Sequence, residues 1–342
     1  MNLPLTGVRV VEFEGIGPGP LAGRMLADMG AAVTVIARPS PDILSRAGGA
    51  APSNPLRHGK TVVILDLKKP ADVAQAMALV ATADALIEGN RPGVMERLGL
   101  GPADCAAHNP KLIYGRMTGW GQSGPLAQAA GHDLNYVALT GLLSLSAHRG
   151  ERPVVPPTVV GDAGGALGLA FGIACALFEV RTSGRGRVVD AAIVDIVAML
   201  GGIAQLARAR GWLDSADLNL FHDSPYYDVY PCAGGGFVTL GAIEPQFYAL
   251  LLYKLGLTDV DTAAQNNRAL WPALKARFTA LFASQPRAHW VALLEGTDVC
   301  FAPVLSVKEA AAHPHNVARG IYSTDASGTL QVAAAPRFLP LG

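Results

Sequence analysis

The chain opens with a strand, a glycine turn, a helix and a second strand, and that order constrains the fold more than any other feature of the sequence. Residues 7–14 (GVRVVEFE) form a β-branched run that stops at Gly15-Ile16-Gly17-Pro18-Gly19-Pro20. Leu21, Met25, Leu26 and Met29 then recur at helical spacing, and Gly30 supplies a C-terminal stop. Residues 32–37 (AVTVIA) read as a second buried strand ending at Arg38-Pro39. The alternation repeats: a strand at 61–65, a helix at 70–83 opened by proline, and short apolar strands at 85–88 and 112–117. Strands alternating with helices predict an α/β fold with a parallel, doubly wound, Rossmann-like sheet.

Past Asp162 a helix rich in glycine and alanine runs to about residue 180, its small side chains permitting close packing, and a strand at 188–191 and a further helix follow. Beyond about residue 213 the texture changes. Tyr226, Tyr227, Val229 and Tyr230 precede GGGFVTLGAIE, which suggests strands around a glycine turn. Helical stretches at 245–255, 271–284 and 287–294, a strand at 301–305 and a helix at 307–312 complete a smaller α+β domain at 218–312. The expected division is thus a large domain over 1–205, a linker at 206–217 and the small domain.

Charge narrows the classes. The 27 basic and 27 acidic residues cancel, and only 16% of the chain is charged against 50% hydrophobic. Low charge with high hydrophobicity excludes a disordered chain, and the lack of a basic excess argues against nucleic acid as a partner. The longest uncharged apolar run, residues 163–178, falls short of the ~20 residues of a membrane-spanning helix. The N-terminus has neither the basic segment nor the long apolar core of a signal peptide. The nearest pair among the four cysteines, Cys175 and Cys232, is 57 positions apart, so the thiols read as reduced and the protein as cytoplasmic.

Several motifs fail on their spacing. After Gly15 and Gly17 a dinucleotide fingerprint requires glycine where Pro20 stands, and Pro18 and Pro20 remove backbone donors that a pyrophosphate would use. Gly59-Lys60-Thr61 resembles the end of a P-loop, but the glycine needed five positions earlier is Asn54. Gly121-Gln122-Ser123-Gly124 lacks the spacing of a nucleophile elbow. His313 and His315 lack a third ligand at useful spacing, so no metal is expected. What remains is Gly131-His132-Asp133-Leu134-Asn135-Tyr136, with four polar side chains in six residues, and Gly161-Asp162, where Asp162 precedes an apolar helix as an N-cap would. Glu244 occupies a similar position between a strand and a helix.

Together these segments resemble the α-methylacyl-CoA racemases, a branch of the family III CoA-transferase superfamily. The likeness runs nearly end to end, through GVRVVEFEGIGPGPLAGRMLADMGA, EGNRPGVMERLGL, GRMTGWGQSGP, GHDLNY, GRGRVVDAAIVD, YYDVYPC and GAIEPQFY. It implies an active-site histidine at His132, an aspartate at Asp162 and a supporting glutamate at Glu244. It also implies contacts to coenzyme A from Arg38, Leu65, Asp66, Leu67, Lys68, Gly89, Asn90, Arg91, Arg97, Gly131, Asp133, Leu134, Asn135 and Tyr136. Two departures are visible: Asn90 stands where an aromatic residue often precedes the arginine, and the loop at 49–60 is this chain's own. The resemblance further implies an interlaced homodimer in which residues 313–342 return to the large domain and Glu244 reaches His132 across the subunits. The acyl-CoA is then substrate, and no cofactor is expected.

The implied residues suit the implied chemistry. The proton α to a thioester is weakly acidic because the carbonyl can hold the charge as an enolate. Inversion requires its removal from one face and the return of a proton to the other, so two acid/base groups must flank the carbon, as His132 and Asp162 would. A carboxyl that donates near neutrality needs burial to raise its pKa. Glu244 would hold the imidazole and fix its tautomer. Backbone amides at the start of the helix after Asp162, opened to close approach by Gly164 and Gly165, would face the enolate oxygen. The competing expectation is a CoA-transferase in which Asp162 is the nucleophile and forms a mixed anhydride.

Overall fold

Side-chain alternation in the first strand sets up two cores. In a computed structural model, which describes residues 3–39, 54–148, 150–325 and 328–341, Val10 points to one face of a sheet and Val11 to the other. The strands β1 (Arg9–Phe13), β2 (Ala32–Ala37), β3 (Thr61–Ile64), β4 (Ala85–Glu88), β5 (Ile113–Thr118) and β6 (Arg187–Ala192) pair in the order β3-β2-β1-β4-β5-β6, all parallel. The helices are α1 (Pro18–Asp28), α2 (Pro70–Ala81), α3 (Val94–Arg97), α4 (Pro102–His108), α5 (Asp133–Leu139), α6 (Asp162–Ser183) and α7 (Ile193–Leu200). Val10, Ile87 and Ile113 pack with Leu26 of α1, Leu169 and Ile173 of α6 and Val197 of α7. Val11, Leu86 and Tyr114 pack on the opposite face with Ala76 and Val80 of α2, Met95 of α3 and Cys105 of α4. Strand order reverses between β1 and β4, and a crevice at such a switch point, outside the carboxyl ends of the strands, is where open α/β sheets bind ligands.

Two boundaries differ from the sequence expectation. The first helix begins at Pro18 rather than Leu21, because proline suits a first turn whose amides lack intrahelical partners. Helix α6 starts at Asp162 itself, with Gly161 as its cap residue, so Asp162 is not the N-cap. The helix runs 22 residues and its most apolar window has a mean hydropathy of 1.8, long and apolar enough to cross a membrane by those two measures. One face of it is spent on the sheet. A Cβ at Gly165 would lie 2.8 Å from Ile193 and one at Gly168 2.4 Å from Ile196, so only glycine lets α7 come this close. The other face leaves Leu167, Phe171 and Phe178 exposed, Phe171 by 69%.

Chain contacts separate a first unit, comprising the residues up to Leu143, Val155–Gly201 and those from Gly320, from a second, Ser144–Val154 and Gly202–Arg319. This corrects the expected division. Residues 206–217 are not a linker, since α8 (Gly202–Ala209) covers their start and Trp212 packs on the second unit's own core. Residues 144–154 join the second unit, where His148 Nδ1 lies 3.1 Å from the carbonyl oxygen of His222. The return to the first unit begins at Gly320 rather than at 313 and carries a hairpin absent from the sequence reading.

The second unit continues with α9 (Leu220–Asp223), β7 (Tyr227–Pro231), β8 (Phe237–Gly241), α10 (Pro245–Lys254), α11 (Trp271–Ala283), α12 (Arg287–Leu294), β9 (Phe301–Val304), α13 (Val307–Ala312) and α14 (Pro314–Ala318). Strands β7, β8 and β9 form an antiparallel sheet. Gly234, Gly235 and Gly236 turn β7 into β8 at φ of 75°, 92° and 88°, angles that other residues adopt at a cost. Tyr230, Phe278, Phe282 and Trp290 fill the core, the Tyr230 and Phe282 rings stacking at 5.2 Å. The hairpin after Gly320 pairs β10 (Tyr322–Thr324) with β11 (Leu330–Val332).

One polar contact crosses the first core. Lys60 Nζ meets Glu12 Oε2 at 2.5 Å and donates to the Pro20 carbonyl at 2.8 Å, and the two side chains are 0% and 3% exposed. Beside them Arg57 pairs with Glu14, and Arg24 donates to the Pro55 carbonyl. Residues 55–60 are thereby fastened to β1 and α1. Lys60 is a structural cation rather than the phosphate-binding lysine of a P-loop.

Candidate active site

The carboxyl ends of β1 to β5 open into two cavities on the first unit. The first, of about 570 Å³, is lined by Glu14, Arg38, Leu65, Asp66, Leu67, Lys68 and Asn90, among others. It lies where β1, β2 and β3 end, and Arg38 and Lys68 bring cations to it. The second, of about 280 Å³, is lined by Gly89, Asn90, Arg91, Trp120, Gly131, His132 and Tyr136, among others. Asn90 lines both, so the cavities adjoin.

Four of the residues expected to contact coenzyme A stand outside both linings, as do Asp162 and Glu244. Arg97 lies on α3 with its guanidinium beside Gly93, where a Cβ would be 3.2 Å from Nη1. Leu134 points outward from α5, and Asn135 folds back so that its Oδ1 accepts from the His132 amide at 3.0 Å. Asp133 is buried, and its carboxylate turns inward. The loop at 49–60 is described only from residue 54; its earlier part lies outside the described residues.

His132 ends the loop before α5 as that helix's cap residue and is exposed at the mouth of the second cavity. Asp162, half-buried, opens α6 beside Gly17, where a Cβ would lie 3.0 Å from its Oδ2. The starts of α5 and α6 meet through Asp133, whose Oδ2 accepts from the Asp162 amide at 2.7 Å. Burial raises the Asp162 carboxyl above the usual carboxylate range, and the charge of Asp133 adds to this while His132 opposes it. Asp162 therefore holds its proton to higher pH than an exposed aspartate does.

Tyr136 frames the second cavity. Its hydroxyl donates to the Gly131 carbonyl, and its ring meets Trp120 edge-on at 4.7 Å. A Cβ at Gly119 would come within 2.0 Å of Cζ of the Tyr136 ring, so the strand end must be glycine for the tyrosine to seat. Burial first, and the Asp162 charge second, raise the Tyr136 hydroxyl above its ordinary pKa.

The expected donors at the start of α6 are largely engaged within the fold. Asp162 N–H is held by Asp133, Ala163 N–H by the Thr158 carbonyl and Gly165 N–H by Gly161, while Gly164 N–H makes no hydrogen bond among the described residues. At α5 the amides of Asn135 and Tyr136 return to the His132 carbonyl, whereas those of Asp133 and Leu134 make no hydrogen bond among the described residues. Glu244 belongs to the second unit, where it caps α10 with extended backbone, and its exposed carboxylate makes no capping hydrogen bond. The nearby Cys300 thiol is pushed up by burial and then by the Glu244 charge. The described residues contain no group of three His, Cys, Asp or Glu side chains arranged to hold a metal.

Two site residues escaped the sequence reading. Glu14 lines the first cavity and accepts from the Arg38 amide at 3.1 Å, and its place just past the first strand was the available signal. Trp120 sits in the glycine-rich GRMTGWGQSGP segment, where nothing local marks it as a cavity wall.

At the carboxyl edge of this parallel sheet His132 lines a cavity, and its charge reaches Asp162 at the start of α6. The chain belongs to the family III CoA-transferases, whose family model matches residues 5–340. It is 42% identical over 340 residues to mouse α-methylacyl-CoA racemase, covering 98% of this chain and 86% of the mouse protein. To the human α-methylacyl-CoA racemase it is 39% identical, covering 98% and 87%. Among solved structures, a CaiB/BaiF family protein from Brucella suis superposes with a TM-score of 0.83 at 25% identity, over 99% of this chain and 93% of that one.

Proposed function

We propose that this chain is an α-methylacyl-CoA racemase, interconverting the (R) and (S) forms of 2-methylacyl-CoA thioesters by 1,1-proton transfer. The observation that carries the reading is His132 at the mouth of the second cavity, next in sequence to the residue that holds the Asp162 amide. The near-full-length identity to two racemases supports it.

In this reading the phosphates of coenzyme A lie by Arg38 and Lys68 in the first cavity, and the pantetheine arm passes Asn90 into the second. One of His132 and Asp162, in its basic form, takes the C2 proton, and the C–H electron pair moves onto the thioester oxygen. The other, in its acid form, returns a proton to the opposite face as the carbonyl reforms. The unengaged amides of Asp133 and Leu134 are the donors we assign to the enolate oxygen. The raised pKa of Asp162 suits a proton donor better than it suits a carboxylate nucleophile, which must be ionised to attack.

The protein acts as a homodimer in which Glu244 of one copy supports His132 of the other. Exposed Leu167 and Phe171 on α6, with Met199 and Leu200 on α7, are apolar surface of the kind that a second copy covers. Light scattering after size exclusion should give twice the monomer mass, and a folded, fully active monomer would refute this part of the proposal.

The test of function uses a single enantiomer of a 2-methylacyl-CoA. Both enantiomers should appear with the thioester intact. Passage of CoA to an added carboxylate, with a hydroxylamine-trappable acyl group on Asp162, would instead identify a transferase.

A further inference from the structure

Asp133, the first of the coenzyme A candidates on α5, does something other than line a cavity. It is 6% exposed. A carboxylate taken out of water is costly unless it gains strong partners. Here Oδ2 accepts from the Asp162 amide at 2.7 Å, at the amino end of the 22-residue α6, where the helix dipole favours negative charge. Gly161 makes this approach possible: a Cβ there would lie 2.5 Å from Asp133 Oδ2 and 3.2 Å from its Cα, so any larger residue would drive the two helix starts apart. On its other side Asp133 follows His132, whose amide is fixed by Asn135.

We infer that Asp133 is the positioning residue that sets the separation of the two acid/base groups and tunes one of them. Its carboxylate fastens the backbone of Asp162 to the residue next to His132, so the two sides of the reacting carbon are spaced by one hydrogen bond across 29 residues of sequence. Its charge faces Asp162 together with His132 and the Tyr136 hydroxyl, and of these it is the group that disfavours ionisation of Asp162. The inference rests on the racemase reading and separates two roles for one side chain: the acceptor oxygen sets geometry, and the charge sets acidity.

The two roles come apart in Asp133→Asn and Asp133→Ala, measured by C2 deuterium exchange across pH alongside wild type. Asparagine keeps an acceptor oxygen for the Asp162 amide and removes the charge. Its kcat should fall less than about 10-fold, and the limb of the pH profile that follows Asp162 should move to lower pH. Alanine removes the tether, and kcat should fall by about 10²-fold while KM changes little, as for a catalytic group displaced by about 1 Å. A residue that only contacts coenzyme A would raise KM and leave kcat and the pH profile in place. That result, or wild-type kcat in Asp133→Ala, overturns the inference while leaving the racemase reading intact. Equal losses in both variants with an unmoved pH limb also overturn it, since they indicate a merely structural role. Absence of exchange in wild type overturns the racemase reading, and this inference with it.

Discussion

Asp162→Asn and His132→Ala each slow inversion at C2 by about 10²-fold or more, with coenzyme A binding nearly unchanged. The size follows from the chemistry. A 1,1-proton transfer needs a base on one face and an acid on the other, and neither group can serve both faces of a carbon held in one orientation. Loss of either leaves a half-site that water must complete. Coenzyme A binding survives because Arg38 and Lys68 lie in the first cavity, whose lining includes neither His132 nor Asp162. Asparagine is isosteric at 162 and leaves the backbone amide that Asp133 holds, so the fold should be retained. Steady-state inversion assays with a coenzyme A competition measurement decide the matter. Near-wild-type rates in either variant would place the chemistry elsewhere.

The second large effect concerns stability. Lys60→Met should cost most above pH 7, up to about 3–5 kcal/mol, because there it strands the Glu12 carboxylate without its ammonium partner. Burial raises Glu12 to about 7, against the opposing pull of Lys60. Because the folded pKa lies above the unfolded one, the stability contributed by this carboxyl is fully present below about 4.5 and is lost as pH rises through about 7. Removing Lys60 removes the opposing pull and widens that window. The cost of Lys60→Met should therefore be largest at alkaline pH and should shrink below pH 7, where Glu12 is protonated. Lys60→Met combined with Glu12→Gln should recover most of the loss. Urea unfolding of wild type and the two variants across pH measures this; a single-mutant cost below about 1 kcal/mol at pH 9 would show that the pair adds little.

The two effects also mark what is legible in a sequence of this kind. The alternation of Val10 and Val11, the proline opening α2 and the Gly234–Gly236 turn are local, and local spacing reveals the parallel sheet and the hairpin. The start of α6 is different. Asp162 resembles an N-cap because polar residues before apolar helices usually are, but here the amide is held by Asp133, 29 positions earlier, and no local pattern encodes that. The same holds for Lys60, whose setting beside Gly59 suggests a phosphate loop while its partner lies 48 positions away on β1. Residues 144–154 escape the first unit for a similar reason, since their docking partner, His222, is 74 positions away. The proposed acid/base pair, His132 and Asp162, was implied by family resemblance rather than by spacing. Three dimensions add the carboxylate that joins its two halves, and leave unengaged amides at the starts of both α5 and α6.

The central claim is that protons at C2 leave and return on opposite faces, and solvent isotope tests it most directly. The wild-type protein is incubated in D2O with pure (R)- or (S)-2-methylacyl-CoA, and deuterium at C2 is followed together with configuration. Either enantiomer should yield both, every inverted molecule should carry deuterium at C2 and the thioester should remain intact. Folded protein that leaves C2 protiated and its configuration unchanged, while moving coenzyme A to a free carboxylate, would contradict it.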